Sequence, residues 1–230
     1  MPTLYLIPSP IGESFRLPDL VQELRMFVVE NLRDTRRFLR WNFPEFPIDD
    51  CQFLEINKNA MDQAAISRFL DACSKQKVSL GLFSDAGLPC VADPGNSVVQ
   101  AAHSKQFRVK PLSGPSSLML ALMASGFNGQ AFSFHGYLPI QEADQIKRIK
   151  QLEEESRKYN RTQIFIETPY RNGKLLEQLL KNVSSSTRIC VAADLDTAEE
   201  EIHSLSAQEW KHKSVNLHKR PCVFLLYAGH

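Results

Sequence analysis

The stretch Phe83-Ser84-Asp85-Ala86-Gly87-Leu88-Pro89-Cys90-Val91-Ala92-Asp93-Pro94-Gly95 decides the fold. Val78 to Phe83, running into it, has the length and the branched and aromatic content of a buried strand, and a helix-like segment follows from about Asn96. The stretch is therefore a strand-to-helix loop. Such loops lie at the carboxyl ends of parallel strands, where open α/β sheets take ligands because the backbone is released from the ladder. Gly87 and Gly95 allow positive φ and close approach, Pro89 and Pro94 stiffen the turns, and Asp85 and Asp93 offer acceptors. The same composition also suits a plain turn in which Asp93-Pro94-Gly95 caps the next helix.

With 230 residues, 43% hydrophobic and 23% charged, the chain can bury a substantial core as one large domain or two small ones. No apolar run approaches the roughly 20 residues needed to span a bilayer, and the N-terminus lacks a basic region followed by an apolar stretch and cleavage site. A cytoplasmic protein without a membrane partner is expected. The five cysteines, Cys51, Cys73, Cys90, Cys190 and Cys222, are scattered, with no Cys-x-x-Cys pair and no histidine at a zinc-ligand spacing, so they read as buried thiols and no metal is expected. Cys90, inside the loop, suits a small apolar filler. Net charge is +1, so attraction to nucleic acid would need a local patch.

The rest of the first half repeats the strand-helix rhythm of a mostly parallel sheet. Strands are expected at Thr3 to Ile7, Met26 to Val29, Phe53 to Ile56 and Phe107 to Pro111. Helices are expected at Asp19 to Arg25, Asp62 to Lys75 with Ala65, Phe69, Ala72 and Cys73 buried, Ser97 to Ser104, and Ser116 to Ala124 closed by Gly126. Beyond a strand at Ala131 to Phe134 the composition changes. A charged helix, Ile140 to Tyr159, precedes strands at Thr162 to Glu167, Arg188 to Ala192, Glu201 to Leu205 and Pro221 to Tyr227, with one helix at Asn172 to Lys181. Strands with fewer helices between them predict a mixed sheet.

Two further stretches could carry chemistry. On a helix beginning near Glu30, Arg33, Arg36, Arg37 and Arg40 fall at i, i+3, i+4 and i+7 and form one guanidinium stripe, suited to phosphates or, equally, to a solvated face paired with carboxylates. Ser113-Gly114-Pro115-Ser116-Ser117 opens a helix whose free N–H groups suit an anion, or whose serines simply cap it. No Gly-x-Ser-x-Gly elbow marks a nucleophile.

The loop Ser84-Asp85-Ala86-Gly87-x-Pro89-x-x-x-Asp93-Pro94-Gly95 resembles the signature of the tetrapyrrole methylase superfamily, in the form carried by its 16S rRNA cytidine 2'-O-methyltransferase branch. Other segments agree in order: Leu4 to Gly12, Glu30 to Arg37, Pro111 to Ser117, Gly136-Tyr137-Leu138-Pro139 and Phe165 to Arg171. The resemblance covers most of the chain. It implies two α/β domains, residues 1–134 and 140–230 joined by a linker at 135–139, with S-adenosylmethionine bent in the cleft between them, and a homodimer.

By matching positions, the resemblance places Pro10, Gly12, Asp85, Ala86, Gly87, Val91, Ala92, Ser116 and Ser117 near the cofactor from the first domain, and Phe165, Glu167, Ala192 and Pro221 from the second. Glu167 equally suits an ion pair with Arg171. Methyl transfer from a sulfonium needs donor and acceptor held about 3 to 3.5 Å apart and water excluded. A hydroxyl acceptor benefits from a general base, for which Glu30, Asp85 and Asp93 are candidates. The implied acceptor is RNA, a ribose 2'-hydroxyl of ribosomal RNA, held by Arg33, Arg36, Arg37 and Arg40. A tetrapyrrole methylated at carbon, or a cofactor-binding module without turnover, remain alternatives. The chain departs from the family at Glu13 to Arg16, at Glu30-Asn31-Leu32-Arg33, and at Ala192 to Thr197, where both basic residues of the family's pattern are replaced.

Overall fold

The computed structural model describes residues 1–12, 15–56 and 62–229. The chain divides into two compact units, Met1–Ser116 and Ser117–His230. In the first, the strands are β1 (Thr3–Ile7), β2 (Met26–Val29), β3 (Gln52–Glu55), β4 (Leu80–Phe83) and β5 (Arg108–Pro111), and the helices α1 (Leu32–Asn42), α2 (Gln63–Gln76) and α3 (Asn96–Ser104). The sheet is wholly parallel in the order β3-β2-β4-β1-β5.

Side chains alternate across such a sheet, so each strand feeds two cores. Leu4, Met26, Val28, Leu80 and Leu82 meet α2 and α3 on one face, while Ile7, Phe27, Val29 and Phe83 meet Leu39 of α1 and the turn residues Val21, Phe46 and Ile48 on the other. The buried face of α2 is Ile66, Leu70 and Cys73. Of the four residues expected there only Cys73 is fully buried; Ala65, Phe69 and Ala72 lie at its half-buried margin. The apolar stripe is turned by one residue because Ile66 and Leu70 meet the sheet directly. The expected helix from Asp19 is a single 3₁₀ turn, Asp19–Glu23, and a second such turn, Ile48–Asp50, was not anticipated.

The second unit holds α4 (Ser117–Ser125), β6 (Phe132–Tyr137), α5 (Glu142–Tyr159), β7 (Thr162–Ile166), α6 (Asn172–Asn182), β8 (Arg188–Ala193), β9 (Glu201–Ser206), α7 (Ala207–Trp210) and β10 (Cys222–Tyr227). Its sheet is mixed, ordered β6-β7-β10-β8-β9, with only β6 and β7 parallel. Ile149, Leu152, Leu175 and Leu179 of α5 and α6 pack with Phe165, Phe224 and Trp210 in its core. No helix among the described residues is long and apolar enough to cross a membrane.

Two boundaries differ from the sequence expectation. The division falls at Ser116/Ser117, not after residue 134, because α4 buries Leu118, Ala121 and Leu122 and its Ser125 carbonyl accepts from Ser204 Oγ of β9 at 2.6 Å. An apolar helix without a polar face gives no clue to the sheet it covers. The expected linker at 135–139 is in part β6, since the positive φ of Gly136, +62°, serves an irregularity between Phe134 and Tyr137 rather than a break in pairing.

The segment that departs from the family after β8 is tied down by Arg220. Its Nε donates to Asp194 Oδ2, its Nη1 to Glu201 Oε2 at 2.6 Å, and its Nη2 to the Glu199 carbonyl at 2.8 Å. The Arg220 hydrogen bond, then that of His203, holds the Glu201 carboxyl down at about 2, against an ordinary 4.5. A depressed carboxyl pKa stabilises the fold fully above the ordinary value, and the contribution is lost as pH falls from 4.5 towards 2. Urea midpoints measured across that window are expected to fall more steeply for the wild type than for Glu201→Gln, the two curves converging at the acid end.

Candidate functional site

Neighbouring strands β1 and β4 send the chain to opposite faces of the sheet. The segment after β1 packs with Ile7 and Phe27, whereas α3, after β4, packs with Leu4 and Leu82. A crevice opens where such paths diverge, outside the carboxyl ends of the strands. The two loops are stitched together at that point. Ser9 N–H donates to the Gly87 carbonyl at 2.9 Å and Gly87 N–H to the Ser9 carbonyl at 3.0 Å. Ser9 Oγ donates to the Ser84 carbonyl at 2.6 Å, and Ser84 Oγ to the Gly87 carbonyl at 2.8 Å. Both hydroxyls are buried, so their work is structural. Gly87 holds φ +70°, and at Gly114 an added Cβ would fall 2.3 Å from the Pro8 ring, which brings the loop after β5 against the same clasp.

Two clefts flank the clasped loops. The first, about 550 Å³, is lined by Ser9, Pro10, Gly12 and Phe15 after β1, by Ser84 and Asp85, and by Asp34, Thr35, Arg37, Phe38 and Trp41 of α1. The second, about 400 Å³ and mostly apolar, lies between Leu6, the signature residues Leu88, Pro89 and Val91, and Pro111 to Gly114 after β5. Cys90 and Ala92 on either side of Val91 hold φ +69° and +63°, strain that costs a side chain about 1–2 kcal/mol each and leaves Val91 41% exposed.

The structure thus brings Pro10, Gly12 and Asp85 to the first cleft and Val91 to the second. Ala86 and Ala92 are exposed on the signature loop, Gly87 is spent in the clasp, and Ser116 and Ser117 mark the junction of the units. Of the three acids, Asp85 alone lines a cleft. Burial, then the charges of Asp93 and Glu30, push the Cys90 thiol up to about 11, which keeps it protonated at neutral pH. Phe15, Thr35, Phe38, Trp41, Leu88 and Leu112 were not anticipated as cleft residues. Trp41 carried a signal, an aromatic residue three positions after Phe38 on the helix that bears the arginines. Glu13 and Ser14 lie outside the described residues.

The arginine stripe is largely a paired face. Arg36 meets Asp49 at 2.7 Å, Arg40 the same carboxylate at 3.9 Å, and Arg37 meets Asp34 at 3.1 Å. Only Arg37 of the four lines a cleft, because Arg36 faces Asp49 and Phe53 instead.

In the second unit, Glu167 is buried and accepts from Arg171 Nη2 and Thr168 N–H, each at 2.6 Å, which is the ion-pair role. The Phe165 ring stacks on Phe224 in the core, and the Ala192 side chain is likewise buried. Pro221 is exposed, its carbonyl accepting from Asp194 N–H at 3.0 Å.

The clasp gives a direct test. Gly87→Ala forces a side chain into the left-handed region and is expected to lower unfolding stability by about 1–2 kcal/mol. Gly129→Ala, with open space around the added carbon, should stay within about 0.5 kcal/mol of wild type, as read by denaturant titration.

No protein-family profile matches the chain. A protein of Vibrio cholerae named ribosomal RNA small subunit methyltransferase I is 30% identical, over 99% of this chain and 77% of its own length. A protein of the same name from Xylella fastidiosa is 33% identical over 83% and 67%. Among solved structures, the methyltransferase CobJ superposes with a TM-score of 0.62 at 14% identity, covering 98% of this chain and 92% of that one. The uroporphyrin-III C-methyl transferase of Thermus thermophilus, complexed with S-adenosyl homocysteine, gives 0.56 at 15%, covering 98% and 97%. The structures establish a shared tetrapyrrole methylase fold, and the sequence relatives establish the lineage: the chain belongs to the family of ribosomal RNA small subunit methyltransferases I.

Proposed function

We propose that this chain is an S-adenosylmethionine-dependent methyltransferase acting on RNA, its acceptor a ribose 2'-hydroxyl of ribosomal RNA. The observation that carries this reading is the clasp, which sets Ser84 and Asp85 on one cleft and Leu88 to Val91 on another within a single loop. The second cleft fits the methyl donor. Leu88, Pro89, Val91 and Leu112 present apolar walls of a size for an adenosine, and the strained loop holds Val91 outward with little protein against it. When bound, S-adenosylmethionine supplies an electrophilic methyl on a sulfonium.

The chain's own residues hold, orient and exclude water. Asp85, exposed on the first cleft, is placed to accept the proton of an incoming hydroxyl. Glu30 and Asp93, whose charges act on the Cys90 thiol, are read as supports of the loop. Among the second unit's candidates, Pro221 keeps an exposed surface for a ligand, and Phe165, Glu167 and Ala192 shape the backbone beside it. Ribosomal RNA as acceptor carries with it a cytoplasmic location, and family resemblance a homodimer.

Arg37, which lines the first cleft, and its exposed neighbour Arg33 are the stripe's phosphate contacts on this reading, Arg36 being held by Asp49 at 2.7 Å. Titration calorimetry is expected to detect S-adenosylmethionine binding to the wild type and, unchanged, to the Arg33→Ala, Arg37→Ala double variant. The same variant should flatten the slope of log K against log salt for single-stranded RNA by about 1.4 units, two contacts at about 0.7 each. A folded protein that ignores the cofactor contradicts the activity; binding of a porphyrin polycarboxylate in place of RNA favours the tetrapyrrole acceptor.

A further inference from the structure

Trp41 stands on the last turn of α1 with half its surface exposed, although an indole of that size ordinarily buries most of its area. It is not loose. Its ring lies nearly parallel to Phe38, centroids 6.2 Å apart and planes 17° apart, and the Arg16 guanidinium sits 4.0 Å from its centroid. Phe38 is in turn fixed edge-on to Phe83 of β4 at 6.4 Å, which links the indole to the sheet. Arg16 does not line the first cleft, whereas Trp41, Phe38 and Phe15 do. The cleft therefore has a rigid aromatic wall that the core does not use.

An apolar cleft of about 550 Å³ with a held, half-exposed indole, one guanidinium at its margin and a carboxylate beside it is complementary to a planar heterocycle carrying a phosphate. Arg37 is that guanidinium; its exposed pair with Asp34, at 3.1 Å, is weak enough to exchange for a phosphate. We infer that the first cleft takes one unstacked nucleobase of single-stranded RNA, stacked on the exposed part of the Trp41 ring that Arg16 leaves open, with its phosphate on Arg37 and its ribose towards Asp85. The inference rests on the RNA reading and gives it a place for the acceptor nucleoside.

The protein's tryptophans make the test specific. There are two, and Trp210 is 1% exposed with its indole N–H bonded to the Ile189 carbonyl at 2.9 Å, so a ligand-induced change in emission reports Trp41. A short single-stranded oligocytidylate should quench that emission saturably, and a strand of equal length without bases should not. Trp41→Ala should weaken oligocytidylate binding roughly 5- to 100-fold while S-adenosylmethionine affinity, measured in the same sample, is retained. Trp41→Phe, which keeps a ring, should restore most of the affinity.

RNA binding that leaves the emission unchanged, with Trp41→Ala at wild-type affinity, would overturn the pocket and leave the RNA reading standing. Equal quenching by the base-free strand would overturn the stacking. Failure of every strand to bind would overturn the RNA reading and the pocket with it.

Discussion

The reciprocal hydrogen bonds between Ser9 and Gly87 are the constraint that registers the two loops lining both clefts of the first unit. Loops at the ends of two adjacent parallel strands have no ladder to register them, and each alone would sample many conformations at a cost of about 1–2 kcal/mol per residue ordered. Two backbone bonds, reinforced by two buried serine hydroxyls, fix them to each other instead of to solvent. The strained φ at Cys90 and Ala92 lies a few residues from that anchor, in keeping with the rule that strain persists where the surroundings over-determine it. Preorganisation of this kind is what a methyl transfer asks of its enzyme, since the chemistry needs placement and dryness more than acid or base strength.

The second unit answers a different problem. Where the family's pattern has basic residues, this chain has Ala193 and Thr197, and without those cations the Asp194 carboxylate would stand uncompensated beside Glu201. Arg220 gathers Asp194 and Glu201 through separate nitrogens, so that a segment changed in charge is kept in place by one guanidinium fork. Glu153 does the same between helix and loop, accepting from Ser184 N–H at 2.8 Å and from the Thr187 hydroxyl. Both networks spend charge on structure.

The sequence made the strands and their order of appearance legible because β-branched and aromatic runs between Gly and Pro turns leave little choice of period. The signature loop was legible for the same reason, and so was its place at a strand's end. Side-chain partners were not. The spacing of Arg33 to Arg40 predicts one stripe, but Asp49, distant in sequence, captures two of its members, and α1's rotation sends only Arg37 to the cleft. Helical spacing gave a shared face and no information on what faces it. Phe165 shows the converse limit: its motif position is matched, yet its ring is consumed by the core against Phe224. Trp41 shows in the sequence as an aromatic residue three positions after Phe38 on the arginine-bearing helix, but its exposure follows from where Arg16 and Phe38 hold it.

The most direct measurement is transfer of a labelled methyl group. Small-subunit ribosomal RNA from cells lacking the protein is incubated with the purified chain and methyl-labelled S-adenosylmethionine, then hydrolysed in alkali, which cleaves beside every free 2'-hydroxyl and spares a 2'-O-methylated linkage. The account predicts label in an alkali-resistant dinucleotide, abolished in Asp85→Ala protein that still binds the cofactor. Cofactor bound without any label transferred to RNA, or label found only in small tetrapyrroles, would contradict it.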